Sequence, residues 1–536
     1  MAGVPAAADV YAPGHIGELT QVVPFELVDA VLEDSRAVQQ RVRALPSRVG
    51  VYFVLALGLF EHLGARLVWG KLVAGLNSTV PSPSEKALRD LRRRIGVAPV
   101  KRLFDTLAGP LAQPSTPGVR YRRWRTVAFD GCSSIPAPAH ERNISWLGRI
   151  THRLGLAGYP RLMLMTLCET GTRGLLAAAF GPVRRESECA YARRLVDRIT
   201  TDMLLLADRG FDSNELLRDI AGRGAQFLVR CKTTRNPPVL TLLPDGSYLT
   251  RIAGLEVRII EGEIRAHTAD GATTGDTYRL LTTLTDYRTD PADQLLRLYH
   301  ERWEVESAYL ALRHTLLKGR VLRSKDPMGI TQELWALLAL YQALRSAMVT
   351  AIETVPALDP DRASFTAALE AARDTVVIAS GLVPTTVDDR VDLAGHIGAH
   401  VLGHLLPPRR PRISARIVKR GISRYHTWNR DDRPRSSSPV TAINITITPP
   451  ALPTSPASTS TRPGRWSDVC QLMASEPPRP WRAQEIADRL GLTTPTPVRS
   501  LVSQLGTWTR RGLLIRTAPN TYKLILPDTL KLAGSP

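Results

Sequence analysis

Cysteine is scarce: there are five in 536 residues, at positions 132, 168, 189, 231 and 470. None stands in a Cys-x-x-Cys pair, which argues against a zinc ribbon and against a disulfide framework, and predicts a reduced compartment. Long apolar runs are also missing. The longest, 50–60, stops at Glu61-His62; it is too short to span a bilayer and reads as a buried helix. The opening residues MAGVPAAADVYAPGH have neither a basic n-region nor an apolar h-region, so no secretory signal is expected. A cytoplasmic chain without a membrane partner follows as the expectation. Acid is short as well: Lys and Arg number 70 against 50 for Asp and Glu, leaving a formal charge of +20. A GC-rich genome would favour Arg over Lys, but it would not leave the bases unbalanced. Arginine's planar fork suits phosphate, and the bases are spread over several segments, so a nucleic acid is the expected partner.

The length allows three or four domains. Residues 1–22 read as a flexible N-terminus and 23–115 as a helical, DNA-binding domain. Within it, a helix beginning at Glu85 turns Leu88, Leu91 and Ile95 inward and Arg89, Arg92, Arg93 and Arg94 outward, and Gly96 stops it. Such a face suits DNA; an ordinary solvated face looks the same. From 120 to 430, strands and helices alternate: strands at 125–129, 161–168, 174–180, 203–207 and 226–230, and helices at 186–199 and 212–223, the latter capped by Asp212. This predicts an α/β domain with a mixed sheet, interrupted at 231–290 by a β-rich insertion and followed by helices over 291–318 and 331–353. Residues 431–465 read as a linker, rich in Pro, Ser and Thr from 448. Then 466–526 shows three helices and a hairpin around Pro519-Asn520, the order of a winged helix-turn-helix, before a tail at 527–536. Arg499, Ser503 and Gln504 would lie on its recognition helix, although such folds also serve protein contacts.

Asp130 and Asp208 each follow an apolar strand, at the kind of strand end where an α/β sheet presents reactive groups. Either alone is an ordinary turn residue. The third element is the helix around 299–313, where Tyr299, Arg302, Glu306 and Arg313 fall within roughly 60° at about 100° per residue. An acid flanked by a phenol and two guanidiniums is unusual for surface salt bridges, and Glu301 and Glu304 point elsewhere on this wheel.

Tyr299-x2-Arg302-x3-Glu306, preceded by VAFDG at Asp130 and LLLADRGFDS at Asp208, resembles the insertion-sequence-four family of DDE transposases, as does the basic segment 84–96. The likeness covers about 20–430, and Arg313 stands where that family usually has Lys. It implies an RNase H-like catalytic domain with a β insertion, and cut-and-paste transposition through hairpin ends. Two divalent ions, Mg2+ or Mn2+ by the hardness of the oxygen donors, would be held by Asp130, Asp208 and Glu306 roughly 3.5 to 4 Å apart. Asp130 would bridge them. Tyr299, Arg302 and Arg313 would hold the DNA phosphate, and Trp303 would stack on a flipped base or simply pack the helix. The partners implied are transposon terminal inverted repeats, target DNA and a second copy of the chain as a homodimer on DNA. A domesticated, non-catalytic DNA-binding protein is the alternative, and a hydrolytic nuclease without strand transfer is another.

Overall fold

The computed structural model describes residues 14–408, 440–450 and 465–524, apart from 42, 77–79, 81, 150, 153–154, 157, 184, 233, 270, 272, 383–385, 388–389, 393, 478, 493–494 and 511–512. The basic stretch 409–439, most of the expected linker and the tail lie outside the described residues. The chain divides into two compact units, 1–450 and 451–536.

The apolar run near residue 50 forms α2 (Ser47–Leu59), buried on nearly every side, as a helix without a polar face must be. Around it stand α1 (Phe25–Asp34), α3 (Ala65–Val73), α4 (Glu85–Ile95) and α5 (Ala98–Leu107). In α4 the Ser84 hydroxyl caps the first turn by accepting from the Ala87 N–H at 3.2 Å, and Gly96, at φ +71°, ends the helix. Residues 14–22, expected to be loose, are instead folded in. Ile16 and Leu19 are fully buried, and the Glu18 carboxylate accepts from the backbone N–H groups of His396 and Ile397.

The central sheet contains β1 (Trp124–Pro136), β2 (Arg161–Glu169), β3 (Leu175–Pro182), β4 (Met203–Ala207) and β5 (Gln226–Arg230). Between β3 and β4 lies α6 (Glu188–Arg193), and between β4 and β5 lies α7 (Asn214–Gly222). The strand order is β3-β2-β1-β4-β5, with β1, β4 and β5 parallel and the rest antiparallel. This is the expected mixed α/β sheet. Asp212, expected to cap α7, is buried and paired with Arg235 at 2.6 Å; the cap position falls to Ser213.

The β-rich region is not a detached insertion. Its strands β6 (Tyr248–Ile252), β7 (Leu255–Thr268) and β8 (Thr273–Thr282) continue the same sheet, because β8 pairs with β5. Residues 440–447, read as linker, add β9 (Val440–Ile447) along β7, with Ile443, Ile445 and Ile447 packed against the core. After β8 the chain enters α8 (Ala292–Tyr299) and α9 (Glu304–Leu310). It then enters α10 (Pro327–Glu353), a helix long and apolar enough to cross a membrane by length and composition but mostly buried inside the fold. The second unit has helices at Arg465–Ala474, Ala483–Arg489 and Pro495–Arg510 and a three-stranded sheet of Trp481–Arg482, Leu514–Ala518 and Thr521–Leu524 around its own apolar core.

Candidate active site

Register sets the first two acids side by side. Adjacent parallel strands β1 and β4 pair from Arg125↔Met203 to Ala128↔Leu206. Two residues further on stand Asp130, still within β1, and Asp208, just past the end of β4. Alternation puts their side chains on the face of Ala128 and Leu206, which pack in the same core as Val305, Ala308 and Tyr309 of α9. The expectation that Asp130 lies past its strand's end is corrected. β1 runs on to Pro136, and Asp130 pairs with Thr166 of β2 after the pairing with β4 has stopped. Asp130 Oδ1 accepts from the Gly131 N–H at 2.9 Å, and Asp208 Oδ1 accepts from Gly210 at 2.7 Å, capping a single 3-10 turn.

The third acid does not come from one continuous α-helix. Between α8 and α9 the chain tightens into a 3-10 turn, His300–Trp303, and after α9 it loosens into a π turn, Ala311–Leu316. The uniform 100° wheel therefore fails here. Such irregular turns are frequent at functional sites. Arg302 falls in the tight turn, 5% exposed, with Nη2 3.7 Å from the 41%-exposed Glu306 carboxylate. Its guanidinium lies 4.5 Å from the centre of the half-buried Trp303 ring and 5.9 Å from that of Tyr299. Its Nε has no hydrogen-bond partner among the described residues. Tyr299 is not presented to solvent: it is 2% exposed and packs edge-on to Tyr278, and burial pushes its hydroxyl pKa up to about 12. Arg313 sits half-buried in the π turn, and Arg302 is the guanidinium whose charge acts on Asp130.

Burial pushes the Asp130 pKa up to about 7. The negative charges of Glu306 and Asp208 raise it further, against the opposing pull of Arg302 and the Gly131 N–H. Among the described residues, no three acid, His or Cys side chains are close enough to hold an ion as they stand. The donor set and the charge balance nevertheless fit a hard divalent cation. Asp130, Asp208 and Glu306 all act on the guanidinium of Arg302, and carboxylates that act on one another are stabilised by added positive charge.

One residue that sequence reasoning missed joins the two halves. The Tyr309 hydroxyl donates to the Asp130 carbonyl at 2.6 Å and lies 2.9 Å from the Thr166 hydroxyl, fixing α9 onto β1 and β2. Its spacing of three from Glu306 was the available signal. Glu304, set aside on the wheel, is 1% exposed and ion-paired with Arg173 at 2.6 Å. Of the outward arginines expected on α4, Arg89 and Arg93 are exposed. Arg92 is turned inward, bonding Gln332 at 3.2 Å and Ser324 at 3.0 Å, and Arg94 bonds the Leu45 carbonyl. In the second unit Ser503 is exposed, while Gln504 is half-buried with an unpartnered Oε1, so it does not lie on an open face. The Arg499 side chain lies outside the described residues.

Comparison with known proteins agrees with this architecture. Residues 13–105 match the family described as insertion element 4 transposase N-terminal, and residues 132–342 match the transposase DDE domain. The chain is 27% identical over 413 residues to the transposase InsG for insertion sequence element IS4 of Escherichia coli (strain K12), covering 75% of this chain and 91% of that protein. A piggyBac transposase synaptic complex with hairpin DNA, solved by cryo-EM, is similar at 10% identity over 74% of this chain and 86% of that one. Its TM-score is 0.34, too low for any conclusion to rest on it. The protein is a DDE transposase, a metal-dependent enzyme that cuts DNA and transfers strands, and the DDE match implies an RNase H-like fold. Within that class, the chain belongs to the insertion-sequence-four family.

Proposed function

We propose that Asp130, Asp208 and Glu306 are the catalytic acids and hold two divalent ions, Mg2+ or Mn2+, for cutting at the transposon's terminal inverted repeats and joining the ends to target DNA. The observation that carries this reading is that Asp130 and Asp208 each lie two residues beyond the last pair, Ala128↔Leu206, of adjacent parallel strands, with both charges acting on the buried Arg302 beside Glu306. The ions, when bound, activate the attacking oxygen and stabilise the leaving one. Arg302, on which all three acids act, holds the scissile phosphate. Tyr299, buried at the end of α8, and Arg313, in the π turn, support that contact, and Trp303 offers its ring to a base. Reaction through hairpin ends, a homodimer on DNA and a cytoplasmic, nucleoid-associated location complete the proposal. The second unit, with its helices and hairpin in winged helix-turn-helix order, contacts DNA through the helix bearing Arg499 and Ser503.

The test is cleavage of linear DNA carrying the flanking inverted repeats, with Mg2+, by wild type and Glu306→Ala. The expected result is metal-dependent nicking at the repeat end that vanishes in the variant, with hairpin products. Binding without cleavage by the wild type, under either Mg2+ or Mn2+, would move the reading to a domesticated DNA-binding protein.

A further inference from the structure

Glu188, at the start of α6, reaches the site from a segment that carries none of the three acids. A Cβ built on Gly131 would lie 3.1 Å from Glu188 Oε1. A Cβ on Gly210 would lie 3.6 Å from Glu188 Oε2 and 2.9 Å from Asp208 Oδ1. One carboxylate thus spans the glycine that follows Asp130 and the glycine two residues beyond Asp208, and a side chain at Gly131 would push it away. The Cys189 thiol donates to the Gly210 carbonyl at 3.1 Å, which holds α6 against the turn below Asp208. The buried Arg302, its Nε unpartnered among the described residues, feels the charges of Asp130, Asp208 and Glu306. Glu188 therefore adds an exposed carboxylate next to Asp208.

An acid in the first turn also favours a helix through the helix dipole, but that role needs only the charge. It gives no reason for both oxygens to sit over Gly131 and Gly210. We infer that Glu188 is a fourth metal-binding carboxylate, which shares an ion with Asp208. This rests on the reading of Asp130, Asp208 and Glu306 as metal-holding acids.

The test is Mn2+ binding to the full chain, followed by electron paramagnetic resonance, for wild type, Glu188→Gln, Glu188→Asp, Asp208→Asn and the control Glu215→Gln. Glu215 pairs with Arg193 on the surface, away from these glycines. The expected result is that Glu188→Gln weakens one Mn2+ at least about tenfold, Glu188→Asp weakens it by an intermediate amount, and Glu215→Gln leaves it unchanged. Wild-type binding by Glu188→Gln, alongside loss in Asp208→Asn, would overturn this inference alone. Wild-type behaviour of Glu188→Asp together with loss in Glu188→Gln would reduce Glu188 to a charge near the helix end and overturn it as well. Unchanged binding in Asp208→Asn, or no binding by wild type, would overturn the three-acid reading with it.

Discussion

Glu304 and Glu306 stand two residues apart on α9 and have opposite surroundings. Glu304 is 1% exposed, and Arg173, which bonds it, also bonds Asp361 and offers its carbonyl to the Tyr341 hydroxyl. Glu306 is 41% exposed and has a buried guanidinium 3.7 Å away, already shared with Asp130 and Asp208. The first acid is neutralised by the protein. The second faces solvent beside a guanidinium on which two other acids also act. The same residue type on one helix thus separates into a buried anchor and an exposed acid, and the distinction lies in what surrounds each.

Substitution should split the two completely. Glu304→Ala leaves the buried Arg173 with Asp361 as its remaining acid, and breaking a buried pair costs up to about 3–5 kcal/mol; thermal or urea unfolding should show a loss approaching that size. Glu306→Gln should leave unfolding within about 0.5 kcal/mol of wild type. It should reduce repeat-end cleavage about a thousandfold or more, a barrier change of roughly 4 kcal/mol. Equal stability losses in the two variants would erase the contrast.

Asp130 sharpens it through pH. Its pKa is raised to about 7 by burial and by Glu306 and Asp208, against an ordinary value of 3.8. The folded state then binds the proton more tightly than the unfolded state. Stability from that proton is present in full below about pH 4 and is lost as pH rises toward 7. Asp130→Asn removes the titration, so the metal-free variant should be more stable than wild type at pH 8 by about 1–3 kcal/mol and nearly equal at pH 4. Melting temperatures at the two pH values in chelator decide it, and a variant no more stable at pH 8 would contradict an acid surplus at the site.

Tyr309→Phe tests the bond between the site's two halves. Losing the hydroxyl leaves the Asp130 carbonyl without this donor, at about 1–2 kcal/mol. Cleavage should fall about tenfold through misplacement of Glu306 relative to Asp130. The sign of a positioning role is a larger fall in turnover than in repeat binding, measured by gel shift on the same DNA.

How much of this was legible depended on whether a local period survived folding. The apolar strands before Asp130 and Asp208 carry their own pattern, so the acids could be placed from sequence. The uniform wheel could not show that Arg302 would lie in a 3-10 turn and Arg313 in a π turn, because it assumes one helical period throughout, and the turns flank the α9 segment that Tyr309 ties to β1. β9 had a readable alternation at Ile443, Ile445 and Ile447, but it stands next to a Pro-rich segment and its partner β7 lies some 180 residues earlier. Glu188 had no local signal at all. Its relation to Gly131 and Gly210 exists only once three elements meet.

The smallest effect repeats the contrast between anchor and available group with the charge reversed. Arg92 and Arg93 are neighbours on α4, and both read as outward bases. Arg92 is committed to Gln332 and Ser324 at the start of α10, whereas Arg93 is exposed, with only a loose contact to Asp90 at 3.9 Å. Arg92→Ala should therefore cost about 1–2 kcal/mol in unfolding. Its effect on DNA affinity should come only through that loss and should leave the salt dependence unchanged. Arg93→Ala should leave unfolding within about 0.5 kcal/mol. It should weaken repeat binding and lower the slope of log affinity against log salt by about one, the mark of one phosphate contact removed. A reduced slope for Arg92→Ala with none for Arg93→Ala would mean that the inward hydrogen bonds open on DNA, and that α4 presents a different face from the one seen here.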